Sequence, residues 1–78
     1  MDMRDLEEEV QRSVGYDCFV TSGVADNGPF LNFNGKQRLL RIWVPRSGMD
    51  AKKIAGMARD YFSDDKAPAY KELTYLSA

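Results

Sequence analysis

The sequence predicts an α+β protein, a two-layer sandwich in which both helices lie on one face of a mainly antiparallel sheet. Two segments repeat apolar residues every three or four positions, as amphipathic helices do, and four short segments alternate as half-buried strands do. Each helix has one apolar stripe, so both are expected to cover the same sheet face. The element order is α-β-β-β-α-β, and residues 1–78 form a single domain.

The first helix is predicted over residues 3–14. Its apolar stripe has the spacing of one helix face: Met3, Leu6, Val10 and Val14. Asp2 is expected to accept hydrogen bonds as the N-cap, and Gly15 is expected to end the helix because glycine tolerates the C-terminal backbone geometry.

Three strands are predicted between the helices. The first covers residues 16–21, with Tyr16, Cys18 and Val20 on one face, and the turn ADNGP at 25–29 follows it. The second covers residues 30–33. Asn34–Gly35 is the strongest short hairpin signal in the chain and is expected to join it to the third strand, residues 37–44.

The second helix is predicted within MDAKKIAGMARDYF, residues 49–62, with Ser47 or Asp50 as its cap. Its inner face has six members: Ala51, Ile54, Ala55, Ala58, Tyr61 and Phe62. Gly56 disfavours a mid-helix site by about 1 kcal/mol relative to alanine, which suggests that another element packs closely there. YKELTYL, residues 70–76, is the expected final strand.

The third strand contains the feature that bears most on function. Leu40, Ile42 and Val44 form its uninterrupted apolar set and are expected to face the helices. The other set then faces away from the core, on a sheet surface that no element covers. The expected partner-binding residues are Phe19, Arg38, Leu39, Arg41, Trp43 and Arg46, with Phe30 as a further candidate.

Three interpretations of this surface stay open. A bulge, or a bend at Pro45, would bury Trp43 in an edge pocket beneath arginine stems. A second copy of the chain would cover the surface as a homodimer, which would also support a small core. A different molecule would use the surface as its binding site.

Charge is unevenly distributed although the net charge is only −1. Residues 1–17 carry six acidic and two basic side chains, whereas residues 36–59 carry seven basic side chains and one acidic. Mutual screening of solvated faces is one explanation. The other is a basic patch for phosphate or for an acidic protein, with Lys52, Lys53 and Arg59 as candidate phosphate contacts.

No catalytic, metal or cofactor signature is present. Histidine is absent, so neither the five serines nor Cys18 has a histidine base, and no enzyme activity or cofactor is expected. Cys18 is the only cysteine and is expected to pack in the core. A lone thiol and an acidic N-terminus, MDMRDLEEEV, favour the cytoplasm, and no apolar run approaches the roughly 20 residues that span a bilayer.

The run KKIAGMA at 52–58 opens the second helix, after one helix and three strands. Residues 3–62 thereby resemble the double-stranded-RNA-binding domain, whose K-K-x-A-K-x-A-A run contacts phosphates. The matching positions are Lys52, Lys53, Ala55 and Ala58, and GPF at 28–30 resembles the family's Gly-Pro loop. The chain departs from the family at Gly56, in lacking the histidine after Gly-Pro, in its acidic first helix and in its last strand. The resemblance implies phosphate contacts by the two lysines.

Taken together, these features predict a small non-catalytic protein that docks on a protein partner. Regulators and inhibitors are often of this size, and a phage or mobile-element setting would favour an inhibitor of a host complex. A homodimer is the expected resting state. The alternative is a module that binds double-stranded RNA or another nucleic acid, and no membrane interaction is expected.

Overall fold

Two helices and a four-stranded sheet make up residues 3–46 and 48–77, the part of the chain that the computed structural model describes. The elements, in chain order, are α1 (Met3–Val14), β1 (Phe19–Ala25), β2 (Gly28–Asn34), β3 (Leu39–Trp43), α2 (Ala51–Ser63), β4 (Tyr70–Thr74) and a 3₁₀ turn (Tyr75–Ser77). The predicted order and the α+β class are confirmed. Asp2 and Ser47, two predicted helix caps, lie outside the described residues.

The strands lie in the spatial order β1-β2-β3-β4. β1 and β2 are antiparallel, as are β2 and β3, whereas β4 runs parallel to β3. Parallel neighbours need a crossover connection, and α2 is that connection. The sheet is therefore mixed, with one parallel pair beside the mainly antiparallel pairing that the sequence predicts.

One face of the sheet and one stripe of each helix form a single apolar core. The strands contribute Val20, Leu31, Phe33, Leu40 and Ile42 to this core, and Val44 follows directly after β3. α1 contributes Leu6, Val10 and Val14, and α2 contributes Ala51, Ile54, Ala55, Met57, Ala58 and Tyr61. The predicted inward set of β3 is confirmed, because its three members are between 0% and 6% exposed.

The turns differ from the prediction. β1 begins at Phe19 rather than Tyr16, because Gly15 ends α1 at φ 72° and the next three residues lead the chain to the sheet. The two-residue turn is Asp26–Asn27, followed by Gly28 at φ 115°. Asn34–Gly35 starts a four-residue connection instead of a two-residue hairpin, so β3 begins at Leu39.

Both ends of α2 are capped by side chains. Asp50 accepts a hydrogen bond from the Lys52 amide at 3.0 Å, as an N-cap does. At the other end, the Arg38 side chain donates to the carbonyls of Tyr61 and Asp64.

Gly56 does not mark a close approach, because a Cβ built there would have no neighbouring atom within 4 Å. The expected tight packing at this glycine is therefore wrong, and its mid-helix position has no packing reason.

The outer edge of β1 is partly closed by Gln11 of α1. Its side-chain amide donates to the carbonyls of Gly15 and Cys18 at 2.8 and 2.9 Å, and its oxygen accepts from the Val20 amide at 2.8 Å. Free backbone groups on an edge strand are sites of unwanted pairing, and Gln11 satisfies one of them in β1, the Val20 amide, together with the Cys18 carbonyl just before the strand. The same bonds hold the start of β1 against α1.

Candidate docking surface on the open sheet face

The face of the sheet opposite the helices consists of three rows of side chains across the four strands. The rows follow from the strand register, since directly paired residues share a face. We call this surface the open face; its rows are Phe19–Asn34–Leu39–Tyr70, Thr21–Asn32–Arg41–Glu72 and Gly23–Phe30–Trp43–Thr74. Arg41 and Glu72 are the two charged residues in these rows.

Arg41 is held in place by three neighbours on the open face. Its guanidinium carbon lies 4.0 Å from the centroid of the Phe30 ring and 5.5 Å from that of Trp43. Its Nε donates to Oδ1 of Asn32 at 2.9 Å. Phe30 and Trp43 themselves meet edge to face, with centroids 5.3 Å apart. Arg41 therefore lies on a rigid aromatic platform, and its stem and one nitrogen are already fixed.

Gly23 makes room for this platform. Phe30 lies across β1 at this position, and a Cβ built on Gly23 would come within 2.6 Å of the Phe30 Cζ atom. The φ of Gly23 is not positive, so glycine is needed here for space rather than for backbone geometry. An edge-strand glycine thus lets an aromatic ring from the neighbouring strand lie flat on the sheet.

Glu72 belongs to a second polar group beside the platform. Its Oε1 accepts a hydrogen bond from the indole nitrogen of Trp43 at 2.8 Å. Desolvation, then the hydrogen bond and negative charge of Glu72, raise the pKa of the Tyr70 hydroxyl above its ordinary value. Although Glu72 is directly opposite Arg41 in the register, its hydrogen-bond partners are aromatic side chains.

Large apolar groups on this face remain accessible. Phe19 is 66% exposed and Tyr70 is 48% exposed, and they lie at opposite ends of one row. Between them Leu39 is half-buried. Four aromatic rings and one leucine therefore lie on a single sheet face, in two rows that the polar row containing Arg41 separates, and such a mixture of aromatic and polar side chains is typical of binding sites.

Two of the predicted surface arginines lie elsewhere. Arg38 precedes β3 and caps the C-terminal end of α2, where it donates to the carbonyls of Tyr61, Asp64 and Asp65 at 3.0, 2.6 and 3.2 Å. These groups are part of the unsatisfied, partially negative end of a helix, so a guanidinium stabilises them. Arg46 is exposed in the connection after β3. Neither arginine belongs to the open face.

The candidate phosphate contacts lie on the helical layer. Lys52, Lys53 and Arg59 are exposed on α2, and the ammonium of Lys53 lies 4.2 Å from the centroid of the Tyr75 ring. α2 packs beside α1, whose exposed residues include Asp5, Glu8 and Glu9. The basic side chains of α2 are thus separated from the aromatic side chains of the open face by the whole thickness of the sheet.

Cys18, the one cysteine of the chain, is buried beside a groove. Cys18 is 7% exposed, and burial, with a smaller effect of Asp17, raises the pKa of its thiol above the ordinary 9.0. A groove of about 1030 Å³ lies beside it, lined by side chains of both charges. Within residues 3–46 and 48–77, no cluster of three or more potential metal ligands occurs, and no helix has the length and hydropathy to cross a membrane.

Four of the predicted binding residues, Phe19, Leu39, Arg41 and Trp43, lie on the open face. The residues that contact Arg41 and Trp43 from other strands, Asn32 and Glu72, were not predicted. Asn32 and Glu72 lie next to Arg41 only because of the register of β2 and β4 against β3. Alternation within β2 places the side chain of Asn32 on the face opposite to those of Leu31 and Phe33, and this pattern could have assigned Asn32 to the open face.

Significant matches are absent from all three comparisons, whether with protein-family models, with curated proteins or with solved structures.

Proposed function

We propose that this protein is a non-catalytic binding protein that docks on a protein partner through the open face. The observation that carries the proposal is the Arg41 platform: an arginine stacked on Phe30 and Trp43 in the middle of an uncovered sheet face. Tryptophan, tyrosine and arginine are the residues that most often dominate the binding energy of protein interfaces. Their side chains here are already ordered, which lowers the entropic cost of binding.

The location of the platform argues against the alternative that it only completes the core. The core is closed by the opposite set of β3 side chains, which are at most 6% exposed. Phe19 and Tyr70 lie on the same sheet face as the platform, in another row, and do not contribute to that core. A regulator or an inhibitor in the cytoplasm would use such a surface to occupy a site on a larger protein.

In the absence of the partner, the chain is proposed to pair weakly with a second copy through the same face. Four strands at about 4.8 Å spacing and five residues at about 3.3 Å give a face of roughly 300 Å² in projection. Stable complexes bury about 800 Å² of accessible surface per partner, and the accessible surface of side chains exceeds their projected area, so a homodimer that uses this face alone is at the small and weak end of the range. Such a homodimer dissociates readily and leaves the face accessible to the partner.

Nucleic-acid binding is the second candidate, and it has a separate set of residues. Lys52, Lys53 and Arg59 are exposed on α2, and the first two match the phosphate-contacting lysines of the double-stranded-RNA-binding domain. The acidic side chains of the adjacent α1 oppose the approach of a polyanion. We therefore rank duplex RNA below a protein partner.

The experiment compares the two surfaces directly. The immobilised chain and two variants, Trp43→Ala and Lys52→Glu/Lys53→Glu, are exposed to an extract of the source organism, and bound protein and nucleic acid are quantified separately. Protein capture lost in Trp43→Ala and retained in the double lysine variant supports docking through the open face. RNA capture that depends on the two lysines, and that weakens steeply with salt because counterions are released, would instead establish the second candidate.

A further inference from the structure

We propose that the partner presents a carboxylate flanked by apolar side chains, and that Arg41 is the residue that recognises it. This inference rests on the proposed docking function and names the chemistry of the occupant. Phe30 and Trp43 form the walls that receive the apolar neighbours of that carboxylate. The partner is thus an acidic protein segment, rather than a nucleic acid or a second copy of this chain.

Arg41 has more hydrogen-bond donors than its neighbours on the open face use. A guanidinium has five N–H donors, and the Nε hydrogen is given to Asn32. The structure records no further hydrogen bond from Arg41 to another described residue. Asn32 and the Phe30 ring restrain the group at its Nε and its central carbon, which leaves the two Nη atoms as a pair of donors. Paired acceptors at this spacing are what a carboxylate supplies.

Glu72 does not satisfy these donors, although it is the cross-strand neighbour of Arg41. Its carboxylate accepts the indole hydrogen of Trp43 and interacts with the Tyr70 hydroxyl. Glu72 therefore fixes the tryptophan ring, while the Arg41 charge is left for an incoming acceptor. Because Arg41 is the one basic residue in the paired rows of the open face, it can bind a single carboxylate but not a run of phosphates.

The distribution of the other cations also disfavours nucleic acid at this face. Binding of a single strand combines aromatic stacking with a positively charged groove on the same surface. Here the exposed basic side chains of α2 lie on the opposite layer from Trp43 and Phe30. A phosphate backbone on the open face would meet one arginine and, beside it, the carboxylate of Glu72.

A second copy is a weaker occupant than an acidic segment, which agrees with the weak homodimer proposed above. A two-fold axis through the middle of the open face would pass between β2 and β3, close to Arg41. The two copies of this arginine would then lie near each other, and like charges at an interface oppose association. An acidic segment from a different protein removes this repulsion and uses the free donors.

The test uses the full 78-residue chain as bait for a library of random twelve-residue peptides displayed on phage. Selections run in parallel on the chain itself and on Arg41→Gln, with Arg46→Gln as a matched control because that arginine is exposed but lies off the open face. The expected result is peptides with one Asp or Glu between apolar residues. That acidic preference should be retained with Arg46→Gln and lost with Arg41→Gln.

Affinities of the most enriched peptide are then measured through Trp43, the only tryptophan in the chain and part of the platform. Replacing its acidic residue by the matching amide should weaken binding by about 10- to 100-fold, the range for a hydrogen bond to a charged group. Arg41→Gln should cost a similar factor. Combining the two changes should cost little more than either alone, because both remove the same interaction.

The outcomes separate this inference from the function on which it rests. Peptides that need Trp43 but show no acidic preference would overturn the carboxylate and leave the docking function standing. A fifteen-nucleotide single strand that binds more tightly than the best peptide, and that depends on Arg41, would overturn both in favour of nucleic acid. Enrichment that is unchanged by Trp43→Ala would remove the open face as the docking surface, and Arg41 recognition with it.

Discussion

Gly23→Ala is the substitution that best tests the construction of the Arg41 platform. The new methyl group would lie 2.6 Å from Cζ of Phe30, so the ring must move by about 1 Å to restore an ordinary contact. The Phe30 ring has little room to do this, because Trp43 meets it edge to face and Arg41 lies above it at 4.0 Å. The substitution therefore disturbs the whole platform from a strand that contributes no charge to it.

The size of the effect follows from the contacts that are displaced. Loss of the edge-to-face pair costs about 0.5–1.5 kcal/mol, and loss of the stacked guanidinium costs about 0.5–1 kcal/mol. Replacing a glycine within a strand by alanine returns roughly 0.5–1 kcal/mol through lower entropy of the unfolded chain. The net expectation is a loss of about 1 kcal/mol in the free energy of unfolding, or about 5 °C in Tm for a domain of this size.

The matched control is Gly56→Ala in α2, where a Cβ has no atom within 4 Å. That variant should be more stable than the natural sequence by about 0.5–1 kcal/mol, because alanine favours the helix and disturbs nothing. Urea unfolding measures both free energies, and the emission spectrum of Trp43 reports the platform separately. A Gly23→Ala protein as stable as its parent, with unchanged tryptophan emission, would show that Phe30 does not need the space at Gly23.

Four other predictions concern the end of α2, the Cys18 thiol and β4. Arg38→Ala should lower the free energy of unfolding by about 1–3 kcal/mol, because carbonyls at the end of α2 lose a charged donor. The control Arg46→Ala should change this free energy little, and urea unfolding measures it for both variants. Cys18 should react slowly with a thiol reagent at neutral pH and rapidly in denaturant, because burial raises its pKa; equal rates would place the thiol at the surface. The stability contributed by this raised pKa is complete below the unfolded value of 9.0 and is lost as the pH rises through the higher folded value. Urea midpoints should therefore fall with pH there, and should fall less in Cys18→Ala, where only the raised pKa of Tyr70 remains. Deleting the chain from Tyr70 onward should destabilise the domain severely in thermal unfolding, because β4 and the buried Tyr75 are removed; an unchanged Tm would contradict a four-stranded sheet.

The elements were predictable because their patterns are strong and local. α1 was predicted to its exact ends, since an apolar stripe and a terminal glycine both mark them. The inward set of β3 was also predicted, because a slip by one residue would bury Arg41 without a charged partner. The parallel direction of β4 was not, since no residue within a strand records the direction of its neighbour. The direction of β4 depends on where α2 and the loop after it end relative to β3.

The hairpin error has a physical cause in the same loop that contains Arg38. Asn34–Gly35 has the composition of a two-residue turn, yet the Gly35 amide instead donates to the carbonyl of Arg38 at 2.9 Å. A four-residue connection lets Arg38 reach the carbonyls at the end of α2. The longer loop therefore allows the tertiary contacts of Arg38, and these contacts override the local preference for a two-residue turn.

Arg38 and Arg41 show how much of the candidate site strand geometry alone decides. They are three residues apart, and an odd spacing in extended chain places two side chains on opposite faces of a sheet. Arg38 accordingly lies on the helical side, where helix carbonyls take its donors, while Arg41 lies on the open face with two nitrogens free. The same parity, applied to Arg38, would have removed it from the expected binding residues. Alternation along β3 does not predict which residues surround Arg41. Asn32, Phe30 and Glu72 belong to other strands, and only the register of the sheet places them beside Arg41. The capacity of this face to recognise a carboxylate therefore belongs to the assembled sheet and not to any one segment of the sequence.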